Sequence, residues 1–157
     1  MPVALPKAGL FRRLAALFYD ALIVIAIIMM AGGLVVALLE ALVAAKIVNY
    51  APYLDASDLL THHPIISPLY QFYLVITWCA FFVFFWIRAG QTLGMRAWRL
   101  MIINEDGSPI SLTQALIRLA TSLFGLGNLT VPIDPNKRAF QDMWAKTQVV
   151  VLPHKKR

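Results

Sequence analysis

From Ala21 to Leu39, and again from Leu69 to Ile87, the chain runs for 19 residues without a charged side chain. About 20 apolar residues, rising 1.5 Å each, cross the roughly 30 Å of hydrocarbon in a bilayer. Each run therefore predicts a membrane-spanning helix. Eleven residues of the first run are Leu, Ile or Val, which contributes roughly −3 to −7 kcal/mol towards insertion and can carry Asp20 at its edge. Lys7, Arg12 and Arg13 precede it, as they would a signal peptide. The run is nevertheless longer than the 7–15 residues usual for such a core, and an uncleaved anchor is expected. The second run has Tyr70 and Tyr73 near its start and Trp86 near its end, the arrangement of interfacial aromatic belts. Phe81, Phe82, Phe84 and Phe85 surround nearly every side of that helix and read as lipid or helix packing.

Composition agrees. With 60% hydrophobic and 14% charged residues and a mean hydropathy of +0.71, the chain lies outside water-soluble usage and is too apolar to stay disordered. Its single cysteine, Cys79, rules out an internal disulfide framework or a cysteine-based zinc site. A net charge of +6 in such a chain records orientation and contact with anionic lipid, and nucleic-acid binding is not expected.

A third apolar stretch, Leu119–Ile133, has 15 residues and is interrupted by Gly125, Gly127, Asn128 and Pro132, with Arg118 just before it. Its seven Leu, Val, Ile and Phe residues supply about −2 to −4 kcal/mol, whereas one arginine near the centre would cost about +2.5 to +3.5. Broken or re-entrant geometry is predicted. Charge asymmetry supports this reading. Basic residues crowd the N-terminal segment, the 88–111 connection (Arg88, Arg96, Arg99) and the tail after Ile133, while the 40–68 loop has only Lys46 against Glu40, Asp55 and Asp58. The first three regions should then all be cytoplasmic, which two full crossings permit and three forbid.

Between and after the spans, Trp98–Ile103 favours a strand, followed by the turn residues Asn104 to Pro109. Ser111-Leu-Thr-Gln114 is a capping-box pattern that starts a helix at Leu112. Asp134-Pro135 has the form of a cap followed by a first-turn proline, and Phe140, Met143 and Trp144 predict an amphipathic interfacial helix over about 135–146. Thr147–Leu152 then forms a β-type run that can pair with Trp98–Ile103 if both lie on one side of the membrane.

These residues resemble the RDD family of integral membrane proteins, named for one arginine and two aspartates. The resemblance starts at Ala8-Gly-Leu-Phe-Arg-Arg-Leu-Ala-Ala16 and reaches Asp20. It resumes at Gly90-Gln-Thr-Leu-Gly-Met-Arg96, passes the Asn104–Ser111 turn and Arg118, and ends with Arg138, Asp142 and Thr147. It covers about two-thirds of the chain, and makes Arg13 and Asp20 the first two signature positions. The third apolar segment is shorter here than the full crossing often assumed for the family. The resemblance implies a membrane protein whose relatives include both ion-exchange components and adaptors in membrane-protein complexes.

The expected fold is an all-α membrane protein. Residues 1–157 form one RDD-like membrane domain, a small helical transmembrane bundle with spans at about 17–39 and 69–87, a broken segment at about 112–133, and a short cytoplasmic β-hairpin-like pairing. Arg13, Asp20 and Asp142 form the signature charged cluster, with Arg96, Arg99, Arg118, Arg138 and Thr147 as supporting polar residues. Arg13 and Asp20 are seven apart, about 10 Å along one helical face, so each needs another partner. Asp20 with Arg118 or another arginine, and Asp142 with Arg13, Arg96 or Arg99, are the candidate pairs. The cluster reads first as an ion-pair clamp, since no charge lies in mid-membrane.

His62-His63 beside Asp55 and Asp58 lacks metal-ligand spacing, so no metal and no cofactor are expected. Gly33-x-x-x-Ala37 could admit a close helix neighbour. No P-loop, nucleophile elbow or triad is recognisable, and an enzyme is not expected. Two function classes stand. One is an accessory or scaffold protein packed in the bilayer against a membrane partner or its own copies. The other is an oligomeric cation or proton transporter that uses Asp20. Anionic-lipid contact by Arg138, Lys146 and Lys155-Lys156-Arg157 is a further expectation.

Overall fold

The computed structural model describes residues 5–153. The basic Lys155-Lys156-Arg157 lies outside them. Two helices dominate, α1 at Leu10–Ala44 and α3 at Ile66–Ala89. With 35 and 24 residues they are about 52 and 36 Å long, enough to cross the hydrocarbon. In their most apolar stretches only 11% and 17% of residues are buried, so these are not the core helices of a soluble domain. Side chains such as Ile25, Met29, Leu34, Leu69, Phe72 and Phe84 point outwards. In water this exposure would be prohibitive, whereas in lipid it is neutral. The chain is a small α-helical membrane protein carrying a two-stranded sheet.

The structure divides into two compact units, the residues up to Ile23 with those from Phe81 onwards, and Val24–Ala80. In the second unit Tyr70 fills the space beside Gly32, and the Tyr73 hydroxyl donates to Ala31 O at 3.4 Å. The close approach expected at Gly33 is made instead at Gly32, and nothing lies within 4 Å of a Cβ placed on Gly33. The short helix α2, Ala56–His62, is capped by Asp55, which accepts from Asp58 N at 2.8 Å. The histidines have local roles. His62 Nδ1 lies 2.8 Å from Asp58 Oδ1, and His63 Nδ1 accepts from the N–H groups of Ile65 and Ile66.

The first unit is a polar cap built on the ends of α1 and α3. After α3, a short helix α4 (Leu93–Ala97) leads into β1, Leu100–Asn104. The strand pairs antiparallel with β2, Thr147–Val151, in a register that sets Leu100 opposite Val151 and Asn104 opposite Thr147. The N-terminal segment bonds to the other edge of β2, through Ala8 N to Val149 O at 2.9 Å and Val151 N to Pro6 O at 2.8 Å. The two ends of the described chain therefore meet at one sheet within this unit. Leu100, Ile102, Val150 and Ala8 are almost fully buried there, each of the larger side chains contributing about 1.5–3 kcal/mol.

Helix α5, Leu112–Thr121, opens with the Ser111–Gln114 capping box expected from the sequence. Gln114 also donates to Asn104 Oδ1 and Ala145 O, tying the start of α5 to the end of β1. Ten residues span about 15 Å, half a bilayer. The chain then breaks at Phe124 and Gly125, whose φ angles are 55° and 98°, within a 3-10 segment at Leu123–Thr130. A Cβ on Gly125 would press on the end of the Leu17 side chain of α1, and it is the φ of 98° that makes this bend favour glycine. The last helix, α6, is Phe140–Ala145, shorter than the 135–146 expected. Asp134 does not start it. Its carboxylate accepts from Arg138 N at 2.9 Å, folding 134–138 into a turn with Lys137 at φ 52°.

Candidate functional site

The cap buries two carboxylates, and their surroundings differ in kind. Asp142 sits in the first turn of α6 with no exposed surface. Its Oδ2 accepts from Arg13 Nη1 at 2.6 Å and from Ala139 N at 2.9 Å, while Oδ1 accepts from Arg118 Nη1 at 2.7 Å. Both guanidinium groups are buried and committed. Arg13, in the first turn of α1, also donates from Nε to Ala8 O and from Nη2 to Lys137 O, both at 3.1 Å. Arg118, near the end of α5, also donates to Thr147 Oγ1 of β2 and lies over the Trp86 ring, 5.6 Å from its centroid. Three elements, α1, α5 and α6, thus meet at one carboxylate, and Arg118 links them to β2 and α3. Burial alone pushes the Asp142 pKa up, but the positive charges of Arg118 and Arg13 and the Ala139 N–H outweigh it and hold the pKa below its ordinary value of 3.8.

Asp20 is nearly as buried, at 3% exposure, but meets no arginine. Its Oδ2 accepts from the Thr92 hydroxyl and its Oδ1 from Gly94 N at 2.8 Å. Thr92 also accepts from Met95 N at 3.2 Å, capping α4. Asp20 thereby docks the first turn of α4 against α1, satisfying orphan amides that every helix start leaves. The approach is so close that a Cβ on Gly94 would meet Ala16 O and, at 2.8 Å, Asp20 Cγ.

The residues picked out by sequence therefore separate. Arg13, Asp142, Arg118 and Thr147 form one connected cluster. Asp20 stands apart with Thr92 and Gly94, and its expected pairing with Arg118 is replaced by neutral donors because Arg118 is already committed to Asp142. Arg96 and Arg99 are exposed on and just after α4 and do not reach Asp142. Arg138 pairs with Asp134 at 3.1 Å, lowering the carboxyl pKa of that half-buried pair, and stays outside the cluster. Thr92 and Gly94 were not singled out as partners of Asp20. A threonine immediately before a short helix is the signal that could have found them.

Among the described residues no group of three or more histidine, cysteine or carboxylate side chains is placed to hold a metal ion. No curated protein and no solved structure matches the chain. The sequence model of the RDD family matches residues 7–146, a stretch that contains Arg13, Asp20, Arg118 and Asp142. The chain belongs to the RDD family.

Proposed function

We propose that this protein is a non-enzymatic accessory or scaffold of the cell (inner) membrane, packing in the bilayer against a membrane partner or a second copy, with its polar cap on the cytoplasmic side. The observation that carries this reading is the fully buried Asp142, whose oxygens are all taken up in holding Arg13, Arg118 and α6 together. A charge so committed is a fastener. The open Gly33 and Ala37 surface of α1 offers a small-residue face for close helix packing. Cytoplasmic orientation follows from the basic residues of the N-terminal segment, the 88–111 connection and the tail. Crosslinking in native membranes, followed by mass spectrometry, tests the reading. It predicts a discrete oligomer or heteromer, and a chain recovered only as monomer overturns it.

A second reading is favoured by Asp20, a buried carboxylate whose bonded partners are a hydroxyl and an amide, not a cation. In an oligomer it would bind and release a proton or cation during transport. Proteoliposome flux decides this case. Cation-dependent proton movement abolished by Asp20→Asn supports it, and no flux, or flux unchanged by that substitution, removes it.

A further inference from the structure

Arg12 precedes Arg13 by one residue, about 100° round the helix, and faces away from the Asp142 cluster. Together with Tyr19, Ala97, Trp98 and Arg99 it lines an open cleft of about 340 Å³, a volume within the range of small-molecule sites. Among the described residues the lining holds two guanidinium groups and no carboxylate. Its wall is fixed. The Trp98 ring stands edge-on to Phe11, with centroids 5.9 Å apart, and to Tyr19 at 6.4 Å. Arg99 has a left-handed backbone with φ 55°, uncommon for a residue with a side chain. It is held there by its N–H to Arg96 O at 3.2 Å and by its carbonyl, which accepts from Leu152 N at 2.8 Å.

The level of the cleft is set by α1. Arg12 lies in the first turn, and Tyr19 lies two turns on, beside Asp20, the last charge before the uncharged run from Ala21. Phe11, Phe18 and Leu22 are exposed on the same stretch of helix. A basic cleft with aromatic walls, opening where charge gives way to hydrocarbon, matches a phosphodiester with an apolar tail. Guanidinium groups bind phosphate oxygens in pairs, and tyrosine and tryptophan rings suit the glycerol and ester level. We infer that this cleft binds the phosphate of an anionic membrane lipid through Arg12 and Arg99. The inference is independent of both the scaffold and the transport readings.

The test uses the full chain in a neutral detergent, titrated with phosphatidylglycerol or phosphatidylcholine of matched acyl chains, bound lipid being counted by native mass spectrometry. The expected result is one phosphatidylglycerol bound about 10-fold or more tightly than phosphatidylcholine. Combining Arg12→Gln with Arg99→Gly lowers phosphatidylglycerol affinity about 10- to 30-fold and phosphatidylcholine affinity by less, so that the preference between the two is lost. Glycine accepts the left-handed backbone freely, so Arg99→Gly removes the charge without adding backbone strain. Arg12→Gln alone, on an exposed position, gives a smaller loss of the same sign. Equal binding of the two lipids, or a preference that survives the double substitution, overturns the assignment. Displacement by millimolar inorganic phosphate as effective as by lipid also overturns it, in favour of a soluble anion.

Discussion

Asp142 and Asp20 are both buried in the same cap, yet one is enclosed by two guanidinium groups and the other by a hydroxyl and a single amide. The first carboxylate is needed for its charge, because without it two buried arginines would face each other uncompensated. The second is needed for its shape and its lone pairs, and a neutral asparagine of the same size would keep the bond from Gly94 N while its NH2 group turned towards the Thr92 oxygen. Within a family named for its charged residues, the structural demand on two aspartates is therefore different. One balances charge, and the other anchors a helix.

The sharpest way to break this comparison is Asp142→Asn. It strands Arg13 and Arg118 and is expected to destabilise the cap by about 3–5 kcal/mol, read as loss of monodisperse folded protein on heating in detergent. Acid approaches the same state gradually. The folded pKa of Asp142 is lowered below its unfolded value near 3.8, so its stabilisation is fully present above about pH 4 and is lost as the pH falls through the folded value. Wild-type stability should therefore decline below pH 3.8, and the contribution of this residue should vanish in Asp142→Asn, as acid titration followed by tryptophan fluorescence would report.

Gly94→Ala comes next. The added methyl meets Ala16 O and Asp20, and the displacement of α4 is expected to cost about 1–3 kcal/mol by the same thermal assay. The smallest effect is expected for Asp20→Asn, below about 1 kcal/mol, since the side-chain carbonyl still accepts from Gly94 N. If Asp20→Asn were as damaging as Asp142→Asn, the distinction between the two sites would fall.

Much of the fold was legible because local chemistry decided it. The two uncharged runs could do little but cross lipid, and Ser111 with Gln114 starts α5 at the residue expected. The two β-type runs were expected to pair, and β1 and β2 do so. Asp142 with Arg13 was among the anticipated pairs. What escaped depended on competition among distant groups. Arg118 could serve only one aspartate, and no spacing rule says which. Asp134 could cap a helix or bind Arg138, and the ion pair with its backbone bond won, leaving α6 a turn shorter at its start. Gly32, not Gly33, meets its neighbour because a single 100° step decides which face of a helix looks inward.

The bond between Arg13 and Asp142 joins residues 129 positions apart. At ordinary ribosomal speeds of about 5–20 residues per second, that arginine waits roughly 6–26 s for its counter-ion to be made. During this interval the first helix must enter the bilayer with its guanidinium held in water, and the docking that buries it comes late, when β2 has emerged to seat beside it. A chain that stops before residue 142 would leave Arg13 and Arg118 without the carboxylate that neutralises them.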